Sequence, residues 1–153
     1  SGTYSARCSS YGTDGYARIG IVSSSEIYIR WASYGESFDV ASIPYFKYFA
    51  GTTQLGGMQT NNSNRLMSLY TSTGTVVATG TTIINSSQWY LFELHVKIAD
   101  TGGILELKID GILECSYTGD TKPGTDTTIN KLQWVFSSGG GGEKEQRITP
   151  QPR

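Results

Sequence analysis

Apolar and polar residues alternate strictly on both sides of a glycine-containing turn in the second half of the chain. The apolar members of this alternation are Phe92, Leu94, Val96, Ile98, Leu105, Leu107 and Ile109. A period of two is typical of a strand with one buried face and one wet face. A turn with an even number of residues keeps the apolar positions on one face, pairs Ile98 with Leu105 and sets Lys97 opposite Glu106. The pattern therefore predicts an antiparallel hairpin whose apolar side is covered by a second layer.

Short strand patterns separated by turn residues fill the rest of the chain. The predicted strands cover residues 3–8, 16–22, 25–34, 43–50, 65–71, 75–79, 81–85, 112–117 and 128–137. Residues 54–64 and 119–126 are predicted loops, the first because it is polar and carries paired glycines and clustered asparagines. No segment shows a helical period. These patterns predict an all-β fold, a two-sheet antiparallel β-sandwich of the jelly-roll type.

Charge adds little to this picture. The chain has 153 residues, with 13 acidic and 12 basic side chains and a net charge of -1. With so balanced a charge, the sequence shows no excess of basic residues that would attract nucleic acid or an anionic membrane. No apolar run approaches the roughly 20 residues that a membrane-spanning helix needs. We therefore expect neither nucleic acid nor membrane as a partner.

The composition changes near the C-terminus. We expect a β-sandwich domain over residues 1–137, followed by a glycine-rich connector and an extended arm over residues 138–153. Within the arm, Arg147, Ile148 and Thr149 are candidates to add a strand to an exposed sheet edge, on a neighbouring chain or on the chain itself. Cys8 and Cys115 are expected to be buried free thiols or one disulfide, and neither has the spacing of a metal or redox motif.

The order of these pieces resembles the concanavalin A-like lectin and glucanase superfamily, which includes laminin G-like modules and sandwich-type polysaccharide lyases. The likeness rests on SGTYSARC, SEIYIRWASY, QWYLFELHVKI, LELKIDGILE and the YTGDT loop. Domains of this pattern occur in surface and tail proteins of phage virions and in bacterial extracellular proteins. The resemblance implies a jelly-roll fold and a glycan-related role. The chain departs from the pattern at its end, where GGGGEKEQRITPQPR stands in place of a closing strand with paired aspartates.

Hydrolysis is disfavoured because the ExDxxE pattern of the related glucanases is missing. Glu106 and Asp110 share a strand face, but they are four residues apart with Lys108 between them. A retaining glycosidase needs two carboxyl groups about 5–5.5 Å apart. The plain interpretation is a wet sheet face with cross-strand ion pairs.

The sandwich lyases that the chain resembles use a Tyr or His base and hold the uronate with Arg, Gln or Asn. His95 is the only histidine, and Tyr28 and Arg30 lie on the corresponding face of another strand. The motifs typical of alginate lyases are missing, so we expect an ordinary exposed histidine. No cofactor or metal is expected either, because the loop oxygens are scattered along the chain. The loop residues considered for calcium are Asp14, Asn61, Asn62, Asn64, Asp120 and Asp126.

Glycan binding is the remaining hypothesis, since sugars stack on aromatic rings beside planar polar groups. The candidate carbohydrate-binding residues, expected on adjoining strands, are Tyr28, Arg30, Tyr45, Lys47, Tyr48 and His95. The same tyrosines also suit simple sheet packing, and that alternative stays open. Trp31, Trp89 and Trp134 are expected to be core anchors.

Together these patterns predict a non-enzymatic, lectin-like structural or adhesion module of a larger assembly. The expected setting is a virion surface or an extracellular location. The expected partners are neighbouring chains bound through the C-terminal arm, in a homo-oligomer or a virion, and a glycan. The alternatives are a carbohydrate-binding module of a secreted enzyme and a sandwich-type polysaccharide lyase domain.

Overall fold

The computed structural model describes residues 6–10, 15–35, 44–60, 64–72, 74–122, 124–136 and 144–150, with the backbone alone described at 6–10, 35, 44–45, 136 and 144–150. These residues form twelve β-strands. They are β1 (Ala6–Ser10), β2 (Gly15–Ser24), β3 (Glu26–Gly35), β4 (Pro44–Ala50), β5 (Thr53–Thr60), β6 (Leu66–Thr71), β7 (Val76–Ile83), β8 (Gln88–Lys97), β9 (Gly103–Ile109), β10 (Ile112–Gly119), β11 (Ile129–Phe136) and β12 (Lys144–Pro150).

The strands build two antiparallel sheets of six strands each. The first sheet has the order β1-β12-β3-β8-β9-β10, and the second has the order β2-β11-β4-β5-β6-β7. The apolar faces of the two sheets meet, and Trp31 of β3 stacks on Phe46 of β4 with ring centroids 5.2 Å apart. The predicted all-β, two-sheet antiparallel sandwich is confirmed.

The period-two alternation places the core where the sequence predicts it. Every second residue of β8 from Tyr90 to Val96 is buried, and so is every second residue of β9 from Gly103 to Ile109. The side chains between them point away from the other sheet and stay half-buried. The predicted hairpin faces are therefore confirmed.

The predicted register of that hairpin is wrong by two residues. Leu105 pairs with Val96 instead of Ile98, and Glu106 lies opposite His95 instead of Lys97. The cause is the loop from Ile98 to Gly102, which is held by Thr121. The Thr121 hydroxyl accepts a hydrogen bond from the Ala99 amide (3.1 Å) and donates one to the Lys97 carbonyl (2.6 Å). Ile98 is thereby drawn out of the strand, although it stays in the core at 5% exposure.

The predicted loop over residues 54–64 is also wrong, because its first half forms strand β5. Gly56 and Gly57 are not turn residues. They lie opposite Tyr48 and Lys47 of β4, respectively. An added Cβ would lie 2.7 Å from the Tyr48 ring at Gly56 and 2.8 Å from the Tyr70 ring at Gly57. The glycines therefore let a tyrosine lie flat on each side of the strand.

The C-terminal arm includes strand β12, between β1 and β3 of the first sheet. Arg147 lies opposite Arg7 and Tyr34, and Ile148 lies opposite Ala6 and Ser33. The arm residues Arg147, Ile148 and Thr149 were expected to add a strand either to a neighbouring chain or to their own chain. In the structure they complete a sheet of their own chain. Docking on a neighbouring chain stays a prediction, as does the domain boundary after residue 137.

The tryptophan and cysteine predictions have mixed outcomes. Trp31 is a core anchor at 1% exposure, and the half-buried Trp134 packs against the core. Trp89 is 46% exposed, so its assignment to the core was wrong. Its ring lies on the outer face of the first sheet, 5.3 Å from the ring of Tyr34. Cys115 is a buried free thiol, whereas the Cys8 side chain lies outside the described part of the structure.

A glutamate ties the two sheets together along one side of the sandwich. Strand β10 ends the first sheet, and β7 ends the second. The Glu114 carboxylate of β10 accepts hydrogen bonds from the Thr81 and Thr82 amides of β7, the latter at 2.6 Å. It also accepts one from the Thr82 hydroxyl at 2.7 Å. Amides of an edge strand that would otherwise be unpaired are satisfied in this way.

Candidate functional site

Three of the predicted carbohydrate-binding residues share the outer face of the first sheet. Tyr28 is 61% exposed and stacks on His95, with ring centroids 4.1 Å apart and an angle of 9° between the rings. Glu26 lies 2.8 Å from His95 Nε2 and accepts a hydrogen bond from the Tyr28 hydroxyl at 3.3 Å. Arg30 lies 3.5 Å from Glu93. The structure thus brings Tyr28, Arg30 and His95 onto one surface.

The charged side chains of this surface pair with one another. The hydrogen bond from His95 lowers the pKa of Glu26, and the nearby Tyr28 hydroxyl acts in the same direction. Partial desolvation and the Glu26 carboxylate raise the pKa of Tyr28. Lys108 pairs with Glu106 at 3.5 Å, as Arg30 does with Glu93. We call this outer surface of the first sheet the mixed-charge face.

The other predicted carbohydrate-binding residues do not adjoin this face. They belong to β4, which lies in the second sheet, so the expectation of adjoining strands was wrong. Tyr48 lies in the core at 1% exposure, over Gly56. Lys47 points to the outer side of the second sheet, and only the backbone of Tyr45 is described. Burial raises the pKa of Tyr48, so its hydroxyl stays protonated within the core.

A second set of polar residues lies in register across the outer side of the second sheet. The cross-strand pairs run from Arg18 to Gln133, from Gln133 to Lys47, from Lys47 to Gly57 and from Gly57 to Tyr70. Five neighbouring strands contribute one residue each, and four strand spacings give a row about 19 Å long. We call this outer surface of the second sheet the basic face.

Three polar residues of the basic face are more deeply buried than the residues at corresponding positions of the mixed-charge face. Gln133, Tyr70 and Ser68 point away from the other sheet, yet they are only 6%, 4% and 2% exposed. Residues at the corresponding positions of the mixed-charge face are half-buried or exposed.

Contacts within the basic face hold its polar side chains in place. Arg18 Nε donates a 2.6 Å hydrogen bond to Gln133 Oε1, and the guanidinium lies 4.2 Å from the Tyr16 ring centroid. The Tyr70 ring covers Gly57, next to Lys47 in the row. Burial raises the pKa of Tyr70, so its hydroxyl is a proton donor at neutral pH. The row therefore holds two basic side chains beside a largely buried amide and a largely buried phenol.

The strands of the second sheet carry one sign of charge. Their basic residues are Arg18, Lys47 and Lys131, and these six strands contain no aspartate or glutamate. All three basic residues lie on the outer side. Lys131 Nζ lies 4.8 Å from the Phe49 ring centroid and donates a hydrogen bond to the Gly51 carbonyl. A surface with one sign of charge attracts ligands of the opposite sign.

Lys47 was predicted from the sequence, whereas Arg18, Gln133 and Tyr70 were not. Arg18 and Gln133 are 115 residues apart in the chain, and nothing in the sequence places β2 beside β11. The one available signal was the lack of acidic residues in the segments that form the second sheet. That signal is hidden in a chain whose total charge is balanced.

The described residues contain no group of three or more His, Cys, Asp or Glu that could hold a metal ion. Of the loop residues considered for calcium, Asp14, Asn61 and Asn62 lie outside the described part of the chain. Asp120 accepts a hydrogen bond from the Lys122 amide at 2.9 Å.

Within the described ranges, no helix is long and apolar enough to cross a membrane.

No protein-family model matches the chain, and no curated protein sequence does. Solved structures with a similar fold are found. A sialidase matches with a TM-score of 0.65 and 9% identity over 95% of this chain. This chain spans only 15% of the length of that sialidase. At this identity the likeness shows the fold alone.

Two smaller proteins match over most of their own length. Alginate lyase Aly36B has a TM-score of 0.64 and 10% identity, over 99% of this chain and 81% of the enzyme. Its structure was solved with alginate tetrasaccharide, as a variant with one lysine and one tyrosine changed to alanine. The carbohydrate-binding module CBM66 from Bacillus subtilis has a TM-score of 0.57 and 10% identity, over 92% of this chain and 81% of the module.

Proposed function

We propose that the chain is a non-enzymatic carbohydrate-binding module that holds an acidic polysaccharide on its basic face. The observation that carries the proposal is the row from Arg18 to Tyr70, on a sheet whose strands contain three basic residues and no acidic ones. Guanidinium and ammonium groups are the usual partners of carboxylates. A polysaccharide with a carboxylate on each sugar would meet two cations along this row, Arg18 and Lys47.

The fold comparisons support a carbohydrate ligand. They include a carbohydrate-binding module and a lyase solved with alginate tetrasaccharide, which is itself an acidic oligosaccharide. A separate sialidase match was solved with sialic acid, which is a carboxylated sugar. The setting on a virion surface or outside the cell, and the assembly through the C-terminal arm, stay predictions from the sequence.

Binding can be tested by calorimetric titration with an oligouronate and with a neutral oligosaccharide of equal length. Loss of a charge-assisted contact worth about 1.5 kcal/mol weakens binding about tenfold. We expect Lys47→Ala and Arg18→Ala each to weaken oligouronate binding by that factor. Lys108→Ala, which removes a cation from the mixed-charge face, is the matched control and should bind as the wild type does.

The sequence-based alternative gives a different result in the same experiment. If Tyr28→Ala abolishes binding while Lys47→Ala leaves it unchanged, the ligand lies on the mixed-charge face with Tyr28, Arg30 and His95. Equal affinity for the charged and the neutral oligosaccharide would contradict the proposed role of the basic residues.

Elimination by a polysaccharide lyase is the second candidate, and one observation favours it. Lys47 and Tyr70 lie in one row with Arg18 and Gln133. A lysine and a tyrosine were also changed in the lyase variant solved with alginate tetrasaccharide, and the same lysine and a methionine in the variant solved with alginate trisaccharide. However, the raised pKa of Tyr70 makes it a proton donor. The reaction also needs a base, and the row has no histidine or carboxylate to serve as one.

The two candidates are separated by incubation with a polyuronate and ultraviolet detection of unsaturated uronate. We expect no rise in absorbance from the wild type. A rise that Tyr70→Phe removes, without loss of oligouronate binding, would establish a lyase and contradict the non-enzymatic proposal.

A further inference from the structure

Two basic side chains of the basic face lie in the same row but on strands that are not direct neighbours. Arg18 of β2 and Lys47 of β4 both lie opposite Gln133 of β11, one on each side of it. Their Cα atoms are therefore two strand spacings apart, about 9.6 Å. Gln133 between them is only 6% exposed. The row thus presents two cations with a buried amide between them.

Neither of these cations has an acidic partner in the described part of the chain. On the mixed-charge face Arg30 pairs with Glu93, but none of the ion pairs between described residues involves Arg18 or Lys47. Gln133 accepts a hydrogen bond from Arg18 Nε at 2.6 Å. A guanidinium has five N–H donors, and this bond uses one of them. A carboxylate from outside the chain can therefore pair with each cation.

A ligand meets both cations only if it runs across the strands. Arg18 is the one basic residue of β2, and Lys47 is the one basic residue of β4. A polymer that lay along either strand would meet a single cation. The third cation of this face, Lys131 of β11, is directed away from the row, because its Nζ donates a hydrogen bond to the Gly51 carbonyl just after β4.

The spacing of the strands matches the repeat of one kind of polyuronate. In an extended chain of equatorially 1,4-linked pyranoses, each sugar advances by nearly the distance between neighbouring strands, about 4.8 Å. Consecutive sugars are turned over relative to each other, so their carboxylates project to opposite sides of the chain. The carboxylates of the first and third sugars therefore project to the same side, about two strand spacings apart.

We propose that the basic face selects an extended, equatorially 1,4-linked polyuronate that lies across the strands with one sugar on each strand. This inference rests on the proposed function and adds the linkage and the charge spacing that the site recognises. The first sugar places its carboxylate at Arg18, and the third places its carboxylate at Lys47. The second sugar lies over Gln133 with its carboxylate on the other side, so β11 needs no cation in the row.

Two β-1,4-linked trisaccharides of equal charge test this spacing. One has glucuronate as its first and third sugars with glucose between them, and the other has two adjacent glucuronates and one glucose. Only the first presents one carboxylate to Arg18 and another to Lys47. One charge-assisted contact changes affinity about tenfold, so the first should bind about tenfold more tightly in calorimetric titration. Equal affinities, or tighter binding of the second trisaccharide, would overturn the proposal.

Two variants assign the expected preference to the row. Lys47→Ala should abolish it, because both trisaccharides then reach one cation. Lys131→Ala is the matched control, since it removes the same charge from the same face but outside the row, and it should keep the tenfold preference. Circular dichroism checks that both variants are folded. A preference that survives in Lys47→Ala would contradict the assignment of the third sugar to Lys47.

The linkage is tested with an oligoglucuronate and an oligogalacturonate of equal length. The axial 1,4-linkages of the galacturonate chain shorten and bend it, so alternate carboxylates no longer match Arg18 and Lys47. Loss of one of the two contacts should weaken binding of the oligogalacturonate about tenfold. Equal affinity for the two oligomers would refute selection of an extended chain.

The same titrations separate this inference from the proposed function. A long oligoglucuronate that binds, without any preference between the two trisaccharides, refutes the charge spacing and leaves the proposed function intact. The same holds if the long oligomer binds and neither trisaccharide does. If no oligouronate binds at all, the proposed function itself is refuted.

Discussion

At the scale of single residues, adjacent glycines decide the surroundings of two tyrosines. Gly56 gives Tyr48 its place in the core, and Gly57 gives Tyr70 its place on the basic face. Paired glycines in a polar segment favour a turn, and this is why the sequence predicts a loop there. Their actual role depends on side chains that come from other strands, and no local pattern contains that information.

Gly57→Ala should therefore destabilise the protein. Its Cβ would lie 2.8 Å from the Tyr70 ring and would also contact the Phe46 carbonyl. Overpacking of this kind costs about 1–3 kcal/mol of the free energy of unfolding, which urea denaturation can measure. Gly20→Ala is the matched control, because its Cβ would meet its nearest atom at 4.0 Å. Equal stability of the two variants would argue against the packing of Tyr70 over Gly57.

Glu114 should contribute more to stability than other glutamates of the first sheet. Glu114→Ala leaves two amides and a hydroxyl of β7 without their partner. A hydrogen bond to a charged group contributes about 1.5–3 kcal/mol, so we expect a loss of at least about 2 kcal/mol on urea unfolding. Glu106→Ala removes only a 3.5 Å surface pair with Lys108 and should cost less than about 1 kcal/mol.

The stability of the protein should fall in alkali because of Cys115. Burial, and to a lesser degree the Glu114 carboxylate, raises the pKa of this thiol from 9.0 to about 11. The unfolded chain loses the thiol proton at lower pH than the folded chain. The free energy of unfolding should therefore decrease as the pH rises from about 9 to about 11. Urea midpoints of Cys115→Ala should decrease less steeply over this range, and parallel curves would contradict the raised pKa.

At the scale of strands, the alternation of apolar and polar residues predicted which face of a strand is buried, but it did not predict how the strands pair. Every second residue of β8 and β9 enters the core as predicted, because burial of one face follows from local periodicity. The register was wrong because Thr121, distant in sequence, fixes the loop between these strands. The basic row was not predicted for the same reason, since its five strands are not consecutive in the chain.

Thr121→Val should loosen the loop between β8 and β9. The substitution keeps the shape of a side chain that is 1% exposed, but removes its hydrogen bonds to Ala99 and Lys97. An unsatisfied buried group costs about 1–3 kcal/mol, so both thermal stability and the protection of the Ala99 amide from exchange should decrease. Thr118→Val, at an exposed position of β10, should change neither quantity.

At the scale of the whole molecule, the two sheets have different outer surfaces. The charged side chains of the mixed-charge face pair with one another, whereas the basic face has cations beside buried polar groups. The net charge of -1 hides this difference, and only the assignment of strands to sheets makes it visible. The fold could be predicted from the sequence, but the proposed binding surface could not, because it depends on which strands are neighbours.

The most direct test of the account is the amide chemical shift map of the protein on titration with an oligouronate. We predict that shifts concentrate on the basic face, at Arg18, Gln133, Lys47 and Gly57, and that they diminish as salt screens the charges. Shifts concentrated at Tyr28 and His95, or no shifts at any residue, would contradict it.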